Sequence, residues 1–233
     1  KVFGPLGFGP VYAAPPAQAP GEIALADRRV KGVFVESPTN PLLKIADLRA
    51  IAARTQARGA LTIVDNTFMT PCLQRPLDQG ADLVVYSATK YLAGHNDVVA
   101  GAVVARSPAL SEQIGFFQNA IGGVLGPQDS WLALRGLKTL ALRIGRQQEN
   151  ARAVALRLSK HPHVRRVCYP GLPGHPGRDI LLREQSGCGG MISFEIDDAA
   201  RAPGILSGTK VFLFAESLGG VESLIPYPAV QTH

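Results

Sequence analysis

The feature that most constrains this chain is the alternation, through its first half, of short continuous apolar runs with longer amphipathic stretches. Gly32-Val33-Phe34-Val35-Glu36, Leu61-Thr62-Ile63-Val64, Leu83-Val84-Val85-Tyr86 and Val98 to Val104 each have the length and β-branched content of a buried strand. After the first of them, Ile45 to Arg58 sets Ile45, Leu48, Ile51 and Ala52 at a helical period. Continuous apolar strands separated by helices predict a mostly parallel α/β sheet covered on both faces. Lys90 to Val98 is too short for a crossover helix, so one of these elements is expected to run antiparallel.

A helical region follows, with candidate helices over Pro108 to Asn119 and Gln128 to Arg135. The longest, Leu137 to Lys160, is rich in Ala and Arg, and His161-Pro162 should stop it. Beyond it, Val164 to Cys168 and Met191 to Ile196 alternate like half-exposed strands, with a Pro/Gly-rich loop from Pro170 to Gly177 between them. The expected organisation is a large α/β domain over residues 1–145 and a smaller α+β domain over 146–233, hinged on the long helix and both incomplete at the chain ends. The opening stretch, with Pro15-Pro16, is expected to be the least structured part.

At 46% apolar and 18% charged residues the chain has the balance of a folded soluble protein. No run reaches the roughly 18 apolar residues a membrane span requires. Lys1-Val2-Phe3-Gly4-Pro5 lacks both an initiating Met and a signal-peptide layout, so the start is expected to be trimmed or incomplete, and the cytoplasm is the default compartment. The net charge of +6 is dispersed over Arg28-Arg29, Arg165-Arg166 and single residues such as Arg135, Lys138, Arg143 and Arg146. With no basic block interleaved with aromatics, it reads as solvated helix faces and an attraction for small anions, not as a nucleic-acid surface. Cys72, Cys168 and Cys188 are too few and scattered for a disulfide framework or a zinc site, and suit a reducing compartment. His161, His163 and His175 lack companion ligands at a recognisable spacing, so no metal is expected.

The chemistry-bearing residues follow the strands directly. Asn40 lies in Ser37-Pro38-Thr39-Asn40-Pro41 after the first strand, Asp65 directly follows the second, and Ser87-Ala88-Thr89-Lys90 follows the third. Any one of these reads singly as a turn residue or a helix cap. Together they put an amine, a carboxylate, an amide and two hydroxyls on the edge of an open α/β sheet where ligands bind. An amine to hold an aldehyde, a carboxylate to keep a ring nitrogen protonated and donors for a phosphate are what a pyridoxal-phosphate enzyme requires.

Val35-Glu36-Ser37-Pro38-Thr39-Asn40-Pro41, Val64-Asp65-Asn66-Thr67-Phe68, and Asp82 through Tyr91 with Gly94-His95-Asn96-Asp97 resemble the Cys/Met-metabolism family of pyridoxal-phosphate enzymes. The resemblance continues through Arg135-Gly136-Leu137-Lys138-Thr139-Leu140, Tyr169-Pro170-Gly171-Leu172 and Ala215-Glu216-Ser217-Leu218-Gly219-Gly220-Val221-Glu222-Ser223-Leu224. It covers about Val33 to His233 and implies the aspartate aminotransferase-like fold type I. It also implies that Lys90 forms the Schiff base with pyridoxal 5'-phosphate and shuttles protons between Cα, C4′ and Cβ of the substrate. By the same resemblance Asp65 pairs with the pyridinium nitrogen, and Ser87 and Thr89 hydrogen-bond the phosphate. Asn40 contacts the ring hydroxyl or the substrate carboxylate, and Ser217 helps hold that carboxylate. Glu216, a carboxylate where methionine gamma-lyase and the beta-lyases tend to be apolar or aromatic, suits a distal ammonium.

The family also carries about half a domain upstream, with a phosphate-binding glycine loop, a ring-stacking tyrosine and a Tyr/Arg pair lent to the neighbouring subunit. Downstream it carries an arginine that clamps the substrate carboxylate. No residue here matches these, so the chain is expected to be part of a longer protein or a truncated form. The implied activity is gamma-replacement joining an O-acylated homoserine to cysteine, as in cystathionine gamma-synthase. Ile225 to His233 and His95-Asn96-Asp97 resemble bacterial synthases more than animal lyases. Cystathionine gamma- or beta-lyase is the alternative within the class, and a cofactor-binding or interaction module without turnover the alternative outside it. The family implies small amino-acid substrates and a homodimer or homotetramer with shared active sites. Phe116-Phe117 and Ile121 to Leu125 are candidates for packing between subunits, or for ordinary core packing within one.

Overall fold

The computed structural model describes residues 30–231, so the opening stretch with Pro15-Pro16 lies outside the described residues. Four strands, β1 (Gly32–Glu36), β2 (Leu61–Asp65), β3 (Leu83–Ser87) and β4 (Gly101–Ala105), form one sheet in that spatial order. β1, β2 and β3 run parallel, while β4 returns antiparallel to β3 with Ser87 opposite Gly101. The antiparallel element expected from the short connection is therefore β4. It begins three residues later than Val98, because Thr89 occupies the preceding rung: its backbone N–H donates to Ala100 O, and its hydroxyl accepts from Ala100 N.

The strands alternate in burial along their length. Thr62, Val64, Val84 and Tyr86 are buried, whereas Ile63, Asp65, Val85 and Ser87 on the other face are half-buried. Against the buried face packs α1 (Leu48–Gln56), whose Leu48 and Ile51 join Val35, Val64 and Ala81 in one apolar cluster. Each such side chain contributes about 1.5–3 kcal/mol. The half-buried face carries Asp65 and Ser87.

α1 starts three residues later than its apolar period suggested. The Asp47 carboxylate accepts from Ala50 N at 2.9 Å and caps the helix. Ile45 and Ala46 stay buried outside it, with Ala46 N donating to Ser37 Oγ at 3.0 Å. α2 (Thr70–Leu73) is a single turn after β2.

The expected helical region resolves into α3 (Pro108–Ile121), α4 (Pro127–Leu137) and α5 (Leu140–Leu158). Leu137 belongs to α4, because the chain breaks at Lys138 and Thr139 before α5 begins. α5 packs on two separate clusters. Leu140 and Ile144 meet Tyr91, and Ala151 and Ala155 meet Tyr169. Next to the second cluster, the two half-exposed strands expected from alternation, β5 (Val164–Cys168) and β6 (Ser193–Ile196), pair antiparallel with each other. Between these strands lies α6 (Arg178–Glu184), too short to show a period in sequence. Short helices α7 (Ala202–Ser207) and α8 (Pro228–Gln231) follow, and two 3-10 turns lie at Pro76–Gln79 and Ala199–Arg201. No helix among the described residues is long and apolar enough to cross a membrane.

Arg143 was expected on a solvated helix face, and the structure corrects this. Its guanidinium donates to Tyr91 O at 2.8 Å, Leu92 O at 3.4 Å and Gly136 O at 2.8 Å. Burial lowers its pKa from the ordinary arginine value, yet the side chain serves as a clip between α5 and the turn that carries Lys90.

Candidate active site

The site assembles at the ends of β2 and β3. The Asp65 carboxylate, at the end of β2, accepts from Thr67 N at 2.9 Å. The Thr67 hydroxyl in turn accepts from Ser87 N at 2.8 Å, so the two strand ends are fixed to each other through one threonine. Behind them a buried amide network does the same work. Asn66 Nδ2 donates to Gln74 O at 2.9 Å and to the Tyr86 hydroxyl at 3.1 Å, and Gln74 Nε2 donates to Asn66 Oδ1 and to Ser37 O. Burial raises the Tyr86 pKa, which keeps that hydroxyl neutral and available as a partner. Paired buried amides hold a fixed geometry because any slip would leave a polar group unmatched.

Lys90 follows β3 on a turn in which Gly94 N donates to Lys90 O. Its amine donates to Ser217 Oγ at 3.0 Å. A hydroxyl that accepts from an ammonium keeps its own proton for a further acceptor. Ser217 belongs to a loop whose ends close on each other: Leu213 N donates to Ser223 O, and Ile225 N donates to Leu213 O, both at 2.9 Å. The tip of the loop lies on the Lys90 turn. A Cβ added to Gly219 (φ +80°) would stand 2.7 Å from Tyr91 N, so only glycine permits this approach.

A cavity of about 670 Å³ opens beside this contact, lined by Thr89, Asn96, Asp97, Glu216, Ser217 and Glu222, with Val98, Leu213 and Leu224 as apolar wall. Four of the residues singled out in the sequence therefore meet here: Lys90 bonds Ser217, and Thr89, Glu216 and Ser217 line the cavity. Ser87 and Asp65 stand on the same sheet edge, and the Ser87 hydroxyl has no hydrogen-bond partner among the described residues. The Thr89 hydroxyl is already engaged, donating to Ala100 O at 3.2 Å, and would have to redirect that proton to serve a phosphate. Asn40 is exposed beyond β1, two strands from β3, and does not line the cavity.

Several contributing contacts carry no signal in the sequence pattern. Glu36 sits in register beside Asp65, and its carboxylate accepts from Asn40 N at 3.1 Å. Burial raises its pKa, the Asn40 N–H opposes that rise, and the nearby Asp65 adds to it. Asn96 Nδ2 donates to Glu222 Oε2 at 2.5 Å, and Gln147 Nε2 donates to Gly220 O at 2.8 Å. These contacts join segments far apart in the chain, so spacing alone could not reveal them.

The residues present fit a phosphorylated pyridine aldehyde: an amine that, among the described residues, has no carboxylate partner, a carboxylate at the end of β2 and an unengaged hydroxyl at the end of β3, with the amine's partner Ser217 lining the cavity. The model of one protein family, described as Cys/Met metabolism PLP-dependent enzyme, matches residues 16–233. The chain is 54% identical over 203 residues to a cystathionine beta-lyase of Lactococcus lactis subsp. cremoris (strain MG1363), covering 87% of this chain and 53% of that protein. It is 49% identical over 233 residues to a cystathionine gamma-lyase of Bacillus subtilis (strain 168), covering 100% and 61%. The structure of a cystathionine gamma synthase from Xanthomonas oryzae pv. oryzae, in complex with aminoacrylate and cysteine, superposes with a TM-score of 0.88 at 50% identity, covering 91% of this chain and 55% of that one. The chain thus spans between half and two thirds of the length of these relatives.

Proposed function

Because the chain belongs to the Cys/Met-metabolism family of PLP-dependent enzymes, we propose that it carries the lysine-bearing part of a cytoplasmic trans-sulfuration enzyme joining an O-acylated homoserine to cysteine. The observation that carries this reading is the Lys90–Ser217 hydrogen bond beside a cavity lined by Glu216. When bound, pyridoxal phosphate supplies an electron sink for negative charge on the substrate α-carbon. The residues of this chain do the rest. Lys90 takes and returns the α-proton, its amine aimed by Ser217. Asp65 holds the proton on the pyridine nitrogen, and Ser87 and Thr89 donate to the phosphate. The free proton of Ser217 serves the substrate carboxylate, and Asn40 serves the ring hydroxyl or that same carboxylate. Glu216 pairs with a distal ammonium, such as that of cystathionine.

Relatives named for beta-lyase, gamma-lyase and gamma-synthase activity stand at similar identity, so the reaction must be read from products. Given an acylhomoserine and cysteine, the enzyme is expected to form cystathionine. Given cystathionine alone, it should release little 2-oxobutyrate or pyruvate. Rapid 2-oxo acid release from cystathionine, with no condensation, would replace this reading with a lyase.

We further propose a dimer or tetramer. No residue of α3 is buried, and Phe116, Phe117 and Ile121 are 68%, 59% and 80% exposed, which is unlike the core packing of one subunit. Cofactor retention should fall with dissociation, because subunit and ligand binding are linked. Sedimentation at decreasing concentration, read beside the near-visible band of the lysine-bound cofactor, tests this; a monomer with full cofactor and activity contradicts it.

A further inference from the structure

Between Asn96 and Glu222 the two segments that form the cavity are tied directly together. Asn96 is held in the left-handed region at φ +57°, which turns its side chain toward the loop closed by Leu213 and Ile225. Its Nδ2 donates to Glu222 Oε2. Gly220 is packed so closely that a Cβ there would collide with the Asn96 amide. From the opposite side Gln147, on α5, donates to Gly220 O. Ser217 itself has φ +88°, a conformation that a non-glycine residue keeps only when its surroundings impose it. The contact between Lys90 and Ser217 is therefore set by where the loop is held, and Asn96 is one of the points that hold it, beside the packing of Leu218 and Gly219 on Tyr91.

We propose that Asn96 and Glu222 form a clasp that positions Ser217 and, through it, the amine of Lys90. They are positioning residues, since neither bonds the amine. This rests on the reading of Lys90 as the cofactor lysine. The alternative role of Glu222 is purely electrostatic, as a carboxylate lining the same cavity.

Substitutions in the holoenzyme separate the two. Asn96→Asp keeps a residue tolerant of left-handed backbone but sets a carboxylate against Glu222, adding negative charge. Glu222→Ala opens the clasp while removing negative charge. If the clasp positions the amine, both variants lower kcat by about 10- to 100-fold. Both also move the pH midpoint of the near-visible cofactor band in the same direction. The double variant Asn96→Asp/Glu222→Gln restores the hydrogen bond with donor and acceptor exchanged and leaves the net charge as in the parent. It should recover kcat and the midpoint to within about threefold of the parent, as expected when a coupled pair is re-formed.

Opposite midpoint shifts in the two single variants would overturn the clasp in favour of plain electrostatics. So would a double variant no better than Asn96→Asp. Should Asn96→Asp fail to fold, the comparison of Glu222→Ala with the double variant carries the test alone. Borohydride trapping of the cofactor, with the modified residue mapped, stands as a separate check. Attachment anywhere but Lys90 would remove the reading beneath the proposal, whereas attachment at Lys90 with unaltered single variants would remove the clasp only.

Discussion

Lys90→Ala is expected to abolish product formation and the near-visible cofactor band while leaving the thermal transition of the parent in place. The side chain is half-buried on a turn, and its one side-chain hydrogen bond among the described residues is to the Ser217 hydroxyl, so its loss leaves no core cavity. The turn itself is held from the backbone, by Arg143 on Tyr91 O and by the Thr89–Ala100 pairing. The expected effect on rate is at least the 10²- to 10⁴-fold typical of a lost general acid–base group, with loss of covalent cofactor attachment added to it. A rate and absorbance scan on the purified variant decides the matter. Normal turnover by Lys90→Ala would end the proposed mechanism.

Asp65→Ala should keep part of the cofactor and lose most of the rate. The carboxylate is proposed to hold the ring proton, and breaking a buried ionic pair from one side costs roughly 3–5 kcal/mol. At 1.36 kcal/mol per decade this is on the order of a 10²- to 10⁴-fold loss, with the lower figure favoured because Asp65 is only half-buried among the described residues. Asp65→Asn is the useful companion. Its amide oxygen can still accept from Thr67 N, and so keeps the bracket that reaches Ser87. If the charge matters, both variants lose rate alike. If only the bracket matters, Asp65→Asn stays near the parent, and near-full activity in both would reduce Asp65 to a turn residue.

The sheet was legible in the sequence for a specific reason. Its strands are short apolar runs that stop abruptly at polar residues, so the ends at Asp65 and Ser87 and the group at Lys90 announced themselves together. The antiparallel β4 followed from a connection too short to cross over. What stayed hidden was carried by residues whose type is ambiguous. An arginine in an amphipathic helix looks the same whether it faces water or, like Arg143, caps three buried carbonyls. Glu36 read as the last residue of a strand, although its carboxylate lies in register with Asp65 and fixes Asn40. Ser217 was reached through resemblance, as a substrate-binding residue; its bond to Lys90 is geometric and has no trace in local pattern.

The contacts on either side of the lysine differ greatly in the length of chain they close. Thr89 meets Ala100 across 11 residues, whereas Ser217 meets Lys90 across 127. Closing the longer loop restricts the chain more, and nothing rewards it until the distant segment has docked. The lysine turn thus belongs to the sheet's own cooperative unit, and the loop that aims its amine belongs to a later and weaker one. That loop shows Leu213, Phe214 and Val221 to solvent at 55%, 51% and 57%, which marks a segment with little buried surface to resist opening. Sub-global fluctuations that lift it would disarm the amine while β1 to β4 remain paired. Mild heating or denaturant should accordingly silence such a site well before the molecule as a whole comes apart.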